Sequence, residues 1–306
     1  MKFLSSQEKK VLNNFFIAWN NRIPIVEIKC TYVGSGEKIK FAKSSLKISR
    51  KDPTWMSWRN LERKNLNSWD TTSVTLRKKT RFKFKDYTFD KGEDPRLFTF
   101  LGEAYVLVQK FDANKSDIEI SVIRCDDLTL NRLVSPLGFN GKNWVPFEYK
   151  NELYFFYSLN PIVVLKKSSD SPALKIIKGQ DDFEPKWEHD LSKSIGLIRG
   201  GSPGIYLPES NKVLGFSHAI NPNEDLHAHR LGIYWVDLNS FQFKHHYLTD
   251  YFPSFLIDPY GLRRIDNQIV VEGSMAQGDI HLPDSTILNF EIKFMLDDVV
   301  KLLKEE

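Results

Sequence analysis

At 306 residues the chain exceeds the usual single-domain length, yet all-β propellers and barrels reach this size as one unit. Hydrophobic residues make up 41% and aromatics 13%, with 22 Phe, 11 Tyr and 7 Trp, which supplies a packed core and excludes a disordered chain. The formal charge of +4, from 43 basic and 39 acidic residues spread along the chain, gives no nucleic-acid footprint. The two cysteines, Cys30 and Cys125, form neither a disulfide framework nor a paired-thiolate metal site and fit a reducing compartment.

Residues 6–19 place Val11, Leu12, Phe15, Phe16 and Trp19 at helical spacing, which predicts a helix. These opening residues contain no continuous apolar stretch of signal-peptide type. No window approaches the roughly 20 apolar residues of a membrane span, so a cytoplasmic protein is expected. After residue 24 the pattern changes to short apolar runs separated by Gly, Pro, Asn and Asp, the signature of many short strands. The basic run Arg77-Lys78-Lys79-Thr80-Arg81 reads first as a solvated strand edge guarded by charge. It also suits an anionic membrane surface or a phosphorylated ligand, so peripheral membrane contact stays open.

A strand pair preceded by a polar turn and a proline recurs along the middle of the chain. Glu93-Asp94-Pro95-Arg96 leads to residues 104–108, and Lys142-Asn143-Trp144-Val145-Pro146 leads to 153–158. Arg199-Gly200-Gly201-Ser202-Pro203 then leads to 213–218, and Asp258-Pro259-Tyr260-Gly261 to 268–274. A weaker fifth copy ends at Trp55-Met56-Ser57-Trp58-Arg59. A period of about fifty residues suits a four-stranded propeller blade, and the fold class expected is all-β, a five-bladed β-propeller with short terminal helices. A β-sandwich with accidental periodicity is the alternative. Met295, Leu296, Val299, Val300 and Leu303 predict the closing helix. The expected organisation is a helical segment over 1–24, the propeller over 25–293 and a helix over 294–306.

In a propeller the first strand of each blade lines the central channel, so the turns preceding those strands converge at one mouth. Glu93, Asp94, Lys142, Asn143, Arg199 and Asp258 stand at that position, while Arg59, Ser158, His218 and, slightly later, Asp279 stand at the far ends of second strands. Carboxylates accept from sugar hydroxyls and cations donate to anionic oxygens, so such a ring suits a sugar or phosphate ligand. Trp144, Tyr157, Tyr206 and Tyr260 are candidates to stack on a sugar ring or to fill core. His227 and His229 have no third ligand at a characteristic spacing, and no metal or other cofactor is expected. The chain lacks a phosphate-binding Gly-rich loop before a helix and a Gly-x-Ser-x-Gly elbow, which argues against a Rossmann-type domain and a serine hydrolase.

Gly92-Glu93-Asp94-Pro95-Arg96 resembles the signature of glycoside hydrolase family 130. Lys142-Asn143-Trp144, Gly201-Ser202-Pro203, Ser217-His218 and Pro259-Tyr260-Gly261-Leu262 follow in matching order. That family and the related glycosyltransferase family 108 are five-bladed propellers, mainly β-mannoside phosphorylases and β-mannosyltransferases with some hydrolases. The resemblance implies Asp94 as acid or base. It implies Arg59, Glu93, Arg96, Asn143, Trp144, Asp258 and Asp279 as substrate-binding, and Lys142, Arg199, His218 and His229 as phosphate-binding. His227 or His229 stands where the family carries a tyrosine. The partners expected are a sugar nucleotide or sugar phosphate and an oligosaccharide acceptor, in an inverting transfer that forms a β-linked, mannosyl-type bond. A phosphorylase or hydrolase, and a non-catalytic glycan-binding propeller, are the alternatives.

Overall fold

In the computed structural model, residues 5–34, 38–49, 52–62, 72–112, 117–137, 141–168, 172–179, 198–220, 228–278 and 285–304 are described. Helix α1 (Ser6–Ala18) opens the chain, its first turn closed by reciprocal hydrogen bonds between Ser5 and Glu8, and β1 (Glu27–Gly34) follows. Four consecutive antiparallel sheets come next. Blade 1 is β2 (Lys38–Leu46), β3 (Thr54–Glu62), β4 (Thr72–Lys79) and β5 (Phe84–Asp90). Blade 2 is β6 (Gly92–Phe100), β7 (Glu103–Asp112), β8 (Asp117–Arg124) and β9 (Leu130–Leu133). Blade 3 is β10 (Val145–Tyr149), β11 (Glu152–Leu159), β12 (Ile162–Lys167) and β13 (Leu174–Lys178).

In blade 4 the inner strand is broken into β14 (Ile198–Gly200) and β15 (Ile205–Leu207), both paired with β16 (Lys212–Ile220), and β17 (His229–Asp237) and β18 (Phe243–Tyr247) complete it. Blade 5 is β19 (Phe255–Ile265), β20 (Gln268–Gln277) and β21 (Thr286–Met295), with β1 as its outer strand, Glu27 facing Lys293 and Thr31 facing Asn289. The chain thus closes its ring by pairing its first strand with its last. Helix α2 (Leu296–Leu302) ends it. The architecture is the expected five-bladed propeller with a short helix at each end.

The recurring proline has a physical reason. An inner strand pairs with one neighbour within its blade and turns its other edge to the channel, so a missing N–H there breaks no ladder. Pro95, Pro146 and Pro259 all lie on inner strands, and Pro203 lies at the break in the fourth. Middle strands are apolar almost throughout, as in β11 (Glu-Leu-Tyr-Phe-Phe-Tyr-Ser-Leu), because a blade packs on both faces against its neighbours. Each interface between blades holds its own buried cluster: Val74, Leu76, Leu97 and Val106 between blades 1 and 2, and Trp144, Phe155 and Leu107 between blades 2 and 3. Phe147 and Tyr234 join blades 3 and 4, and Phe41 and Tyr260 join blades 5 and 1. The largest, between blades 4 and 5, also takes Phe15 and Trp19 from the first helical region and Val299 from α2.

Candidate active site

Three inner strands carry a register irregularity near the same mouth: Phe41/Ser44 in β2, Glu93/Arg96 in β6 and Pro259/Gly261 in β19. A bulge frees consecutive residues from strict alternation, so that two neighbours face the channel together. Asp94 takes φ +41 and Asn143 φ +66, left-handed values that aspartate and asparagine tolerate better than most side chains. The left-handed residue in blade 1 is Ala42, at φ +55, held by its N–H donating to Ser274 Oγ at 2.9 Å.

The site is built outward from Asp94. Arg59 Nη1, from β3, donates to Asp94 Oδ1 at 3.3 Å, and its Nη2 lies 3.4 Å from Glu93 Oε1. Lys142 Nζ, from the approach to β10, donates to Glu93 Oε2 at 2.9 Å. Burial opposes the Arg59 charge, but Glu93 and Asp94 more than compensate and hold its pKa above the usual value. Glu93 is 2% exposed and engaged on both oxygens, whereas the Asp94 side chain keeps 17% of its surface open. Blades 1, 2 and 3 are thereby joined through one ion network.

On the other side of the channel Asp258 is likewise committed. Tyr260 donates its hydroxyl proton to Asp258 Oδ2 at 3.2 Å, and His229 Nδ1 lies 2.6 Å from Oδ1. Burial pushes the Asp258 pKa up, yet the neighbouring histidines and these hydrogen bonds hold it well below the usual carboxylate range. With Asp258 ionised, His229 Nδ1 carries the proton and donates. The His218 ring stacks on His229 with centroids 5.3 Å apart, and its Nδ1 is 4.0 Å from the same carboxylate oxygen. Burial drives the His218 pKa down to about 3, and His229, Arg199 and Arg96 add repulsion, so the ring is neutral at pH 7.

That depression predicts an acid-sensitive fold. The folded ring titrates near 3 and the unfolded one near 6.5, so the stabilisation is complete above pH 6.5 and is lost as pH falls towards 3. His245, also pushed to about 3 by burial, acts in the same direction. Urea unfolding between pH 7 and 4 is expected to show stability falling by about 1.4 kcal/mol per pH unit for each such histidine. A flat profile over that range would sink the assignment.

Two expected substrate contacts are corrected. Arg96 is 0% exposed: its Nη2 donates to Asn143 Oδ1 at 3.1 Å and to Gly200 O at 3.2 Å, and its Nε to Gly201 O. It ties blade 2 to blades 3 and 4 instead of facing a ligand. Gly200 and Gly201 are glycines because a Cβ would lie 2.3 Å from Asn143 O in one case and 2.5 Å from Pro259 Cγ in the other. Trp144 is also 0% exposed, its ring centroid 5.7 Å from Phe155 and 5.3 Å from Tyr157, in the core between blades 2 and 3. Trp144 stands just before β10 and follows Asn143, whose left-handed backbone breaks the extended run there. Asp279 lies outside the described residues.

Sequence reasoning missed two supports. Gln109 of β7, 1% exposed and opposite Glu93 in register, accepts the Asn143 N–H at 3.0 Å. A polar residue ending the apolar run 104–108 is the signal for it, at the blade position that Arg59 and His218 occupy in theirs. Tyr260, weighed as sugar platform or core, lies against Phe41 at 5.6 Å and orients Asp258 through its hydroxyl.

The mouth therefore gathers Arg59, Arg96, Lys142 and Arg199 against Glu93, Asp94 and Asp258. His218, His229 and Asp258 each offer a ligand atom, all within 4.8 Å of one another, a set able to hold a divalent ion. His229 Nδ1 is already engaged by Asp258, and the charges that act on His218 are mixed, the Asp258 carboxylate opposing Arg199 and Arg96. A cavity of about 550 Å³ at the opposite mouth, lined by Leu46, Phe98, Phe147 and Leu262 among others, contains none of the expected site residues.

No protein-family model matches the chain, and no curated protein matches it. Among solved structures, a hypothetical protein from Leishmania major is similar at 14% identity over 94% of this chain and 94% of its own, with TM-score 0.55. An exo-β-1,3-galactanase from Phanerochaete chrysosporium, with β-1,3-galactotriose, is similar at 8% identity and TM-score 0.52. That match covers 89% of this chain and 65% of the galactanase. At these identities the likeness is one of fold.

Proposed function

We propose that this propeller is a carbohydrate-active enzyme that transfers a glycosyl group with inversion between a phosphate-type leaving group and a sugar hydroxyl, with Asp94 as acid and base. One observation carries the reading. Asp94 is a partly open carboxylate, on a left-handed bulge, at a mouth where Arg59, Lys142 and Arg199 come in from three blades and where Glu93 and Asp258 are already engaged.

In the synthetic direction Asp94 takes the acceptor hydroxyl proton, directly or through a hydroxyl of the acceptor, as that oxygen attacks the anomeric carbon. The bond from that carbon to the phosphate oxygen breaks, the electron pair leaves with the phosphate, and Arg199, Lys142 and the neighbouring histidines stabilise the charge. A single displacement inverts the centre. Phosphorolysis is the same path reversed.

Inverting hydrolysis would need a second carboxylate roughly 6.5–9.5 Å from the first, acting as base on a water between them. Glu93, Asp258 and Asp279 are the candidates: Glu93 is buried against Arg59 and Lys142, and Asp279 lies outside the described residues. Asp258, hydrogen-bonded on both oxygens and held well below the usual range, is a poor base. The motif order shared with the mannoside phosphorylase and mannosyltransferase group supports a β-mannosyl bond and a nucleotide-sugar or sugar 1-phosphate donor.

Incubation with GDP-mannose plus mannobiose, and separately with mannose 1-phosphate plus mannobiose, tests the reading. Release of GDP or phosphate with an extended oligosaccharide is expected. Free mannose from mannobiose without phosphate would instead establish the hydrolase, and unaltered donors with glycan binding that survives Asp94→Asn would establish a non-catalytic propeller.

A further inference from the structure

The β4–β5 hairpin of blade 1 lies outside the site and carries the two most exposed aromatic side chains among the described residues. Its nine residues from 77 to 85 include Arg77, Lys78, Lys79, Arg81, Lys83 and Lys85, and every residue from Lys79 to Asp86 is exposed. Two large aromatics stand among them, Phe82 at 82% exposure and Phe84 at 63%. Exposed phenylalanine at this level costs hydration free energy that a folded protein normally recovers by burial, and lone surface Lys or Glu would guard the strand edge equally well.

The tip is closed by its own hydrogen bonds. Thr80 N donates to Lys83 O at 2.9 Å, and Lys83 N donates to Thr80 Oγ1 at 3.1 Å, closing the turn on itself with Arg81 and Phe82 at its apex. The carboxylates beside the hairpin are Asp86 and Asp126, and they are paired with Arg77 at 2.6 Å and Lys78 at 2.8 Å. Lys79, Arg81, Lys83 and Lys85 are exposed, and three of them lie over aromatic rings of the same hairpin.

Topology fixes which way the tip points. Strand β5 runs from Phe84 to Asp90, Lys91 turns the chain, and β6 places Asp94 three residues later, so the tip lies at the opposite end of the blade from the site. At that far end, the turn after β2 shows Ile48 at 39% exposure and the β6–β7 turn shows Leu101 at 55%. Lys47 and Lys150 line the cavity that opens there.

We infer that the β4–β5 hairpin docks the propeller onto an anionic lipid surface, Phe82 and Phe84 entering the headgroup boundary while Lys79, Arg81, Lys83 and Lys85 meet lipid phosphates. Aromatics at an exposed tip supply apolar burial, and basic residues around them supply attraction to the negative leaflet; neither signal alone gives stable peripheral binding. The face that carries Asp94 then points away from the membrane. No helix among the described residues is long and apolar enough to cross a bilayer, so the contact is peripheral as far as helices decide it.

Flotation of the whole chain with phosphatidylcholine vesicles and with phosphatidylserine-rich vesicles tests this. Binding to the second and not the first is expected, falling with added salt. The double variants Phe82→Ser/Phe84→Ser and Arg81→Gln/Lys83→Gln are each expected to weaken it by about tenfold or more while leaving the melting temperature unchanged. Phe82→Trp is expected to give a blue-shifted emission, quenched by brominated lipid, on the anionic vesicles. Absence of binding, binding indifferent to both double variants, or an emission from the Phe82→Trp variant that vesicles leave unshifted would each overturn the proposal; so would retention on heparin or RNA without retention on vesicles.

Discussion

The Asp94→Asn variant is expected to lose roughly 10²- to 10⁴-fold in turnover of the glycosyl donor, the usual contribution of a positioned acid or base, while keeping its fold. Asparagine tolerates the φ of +41 as well as aspartate does, and its side-chain oxygen still accepts from Arg59 Nη1. What disappears is the proton-transfer capacity. Steady-state rates with each candidate donor, paired with a thermal melt, measure the two effects separately. Equal turnover in the variant would remove Asp94 from its role. Asp94→Ala makes a useful contrast, because alanine in the left-handed region adds a strain of order 1 kcal/mol and mixes a stability loss into the kinetics.

Arg96→Met is expected to do the reverse, destabilising the whole ring. Methionine fills most of the volume but leaves Gly200 O, Gly201 O and Asn143 Oδ1 buried without the guanidinium that serves all three. Hydrogen bonds to a buried charge contribute about 1.5–3 kcal/mol each, so a loss of at least about 3 kcal/mol follows. That is a large share of the roughly 5–15 kcal/mol that holds a domain folded. The melting temperature should fall by roughly 6–12 °C on the usual conversion for large domains. Arg96→Lys should recover part of this, since an ammonium keeps the charge but cannot span three acceptors with a planar fork. A melting temperature within about 2 °C of the parent would show that Arg96 does not bind the blades together.

Much of this was legible because the inner-strand prolines report backbone topology directly. Pro95, Pro146, Pro203 and Pro259 mark places where an N–H is dispensable, and an edge facing a channel is such a place in each of four blades. Blade 1 left only a faint trace for the same reason: its inner strand, Lys38–Leu46, has no proline, and Ala42 rather than an acid or amide takes the left-handed position. Its visible copy, ending at Arg59, proved to be the second strand.

Within the site, residue type and position identified Asp94, Arg59, Glu93, Lys142, His218, His229 and Asp258 as neighbours across blades. Asn143 and Trp144 both precede β10, where no strand alternation applies, and the left-handed backbone at Asn143 that parts them is not legible in the sequence. Arg96 reads in the sequence as one more cation for a ligand. Its real partners are main-chain carbonyls of Gly200 and Gly201, and carbonyls leave no compositional mark.

The joint between β1 and β21 has a bearing on synthesis as well as shape. A chain emerging from the ribosome completes blades 1 to 4 while Glu27–Gly34 still waits for a partner that is translated after all four of them. Asp258 belongs to the very sheet that this late pairing finishes, three strands inward from the seam. The nascent protein thus has four of its five blades before the sheet that carries Asp258 is complete, and a cut in the waiting strand would leave that sheet without its outer edge.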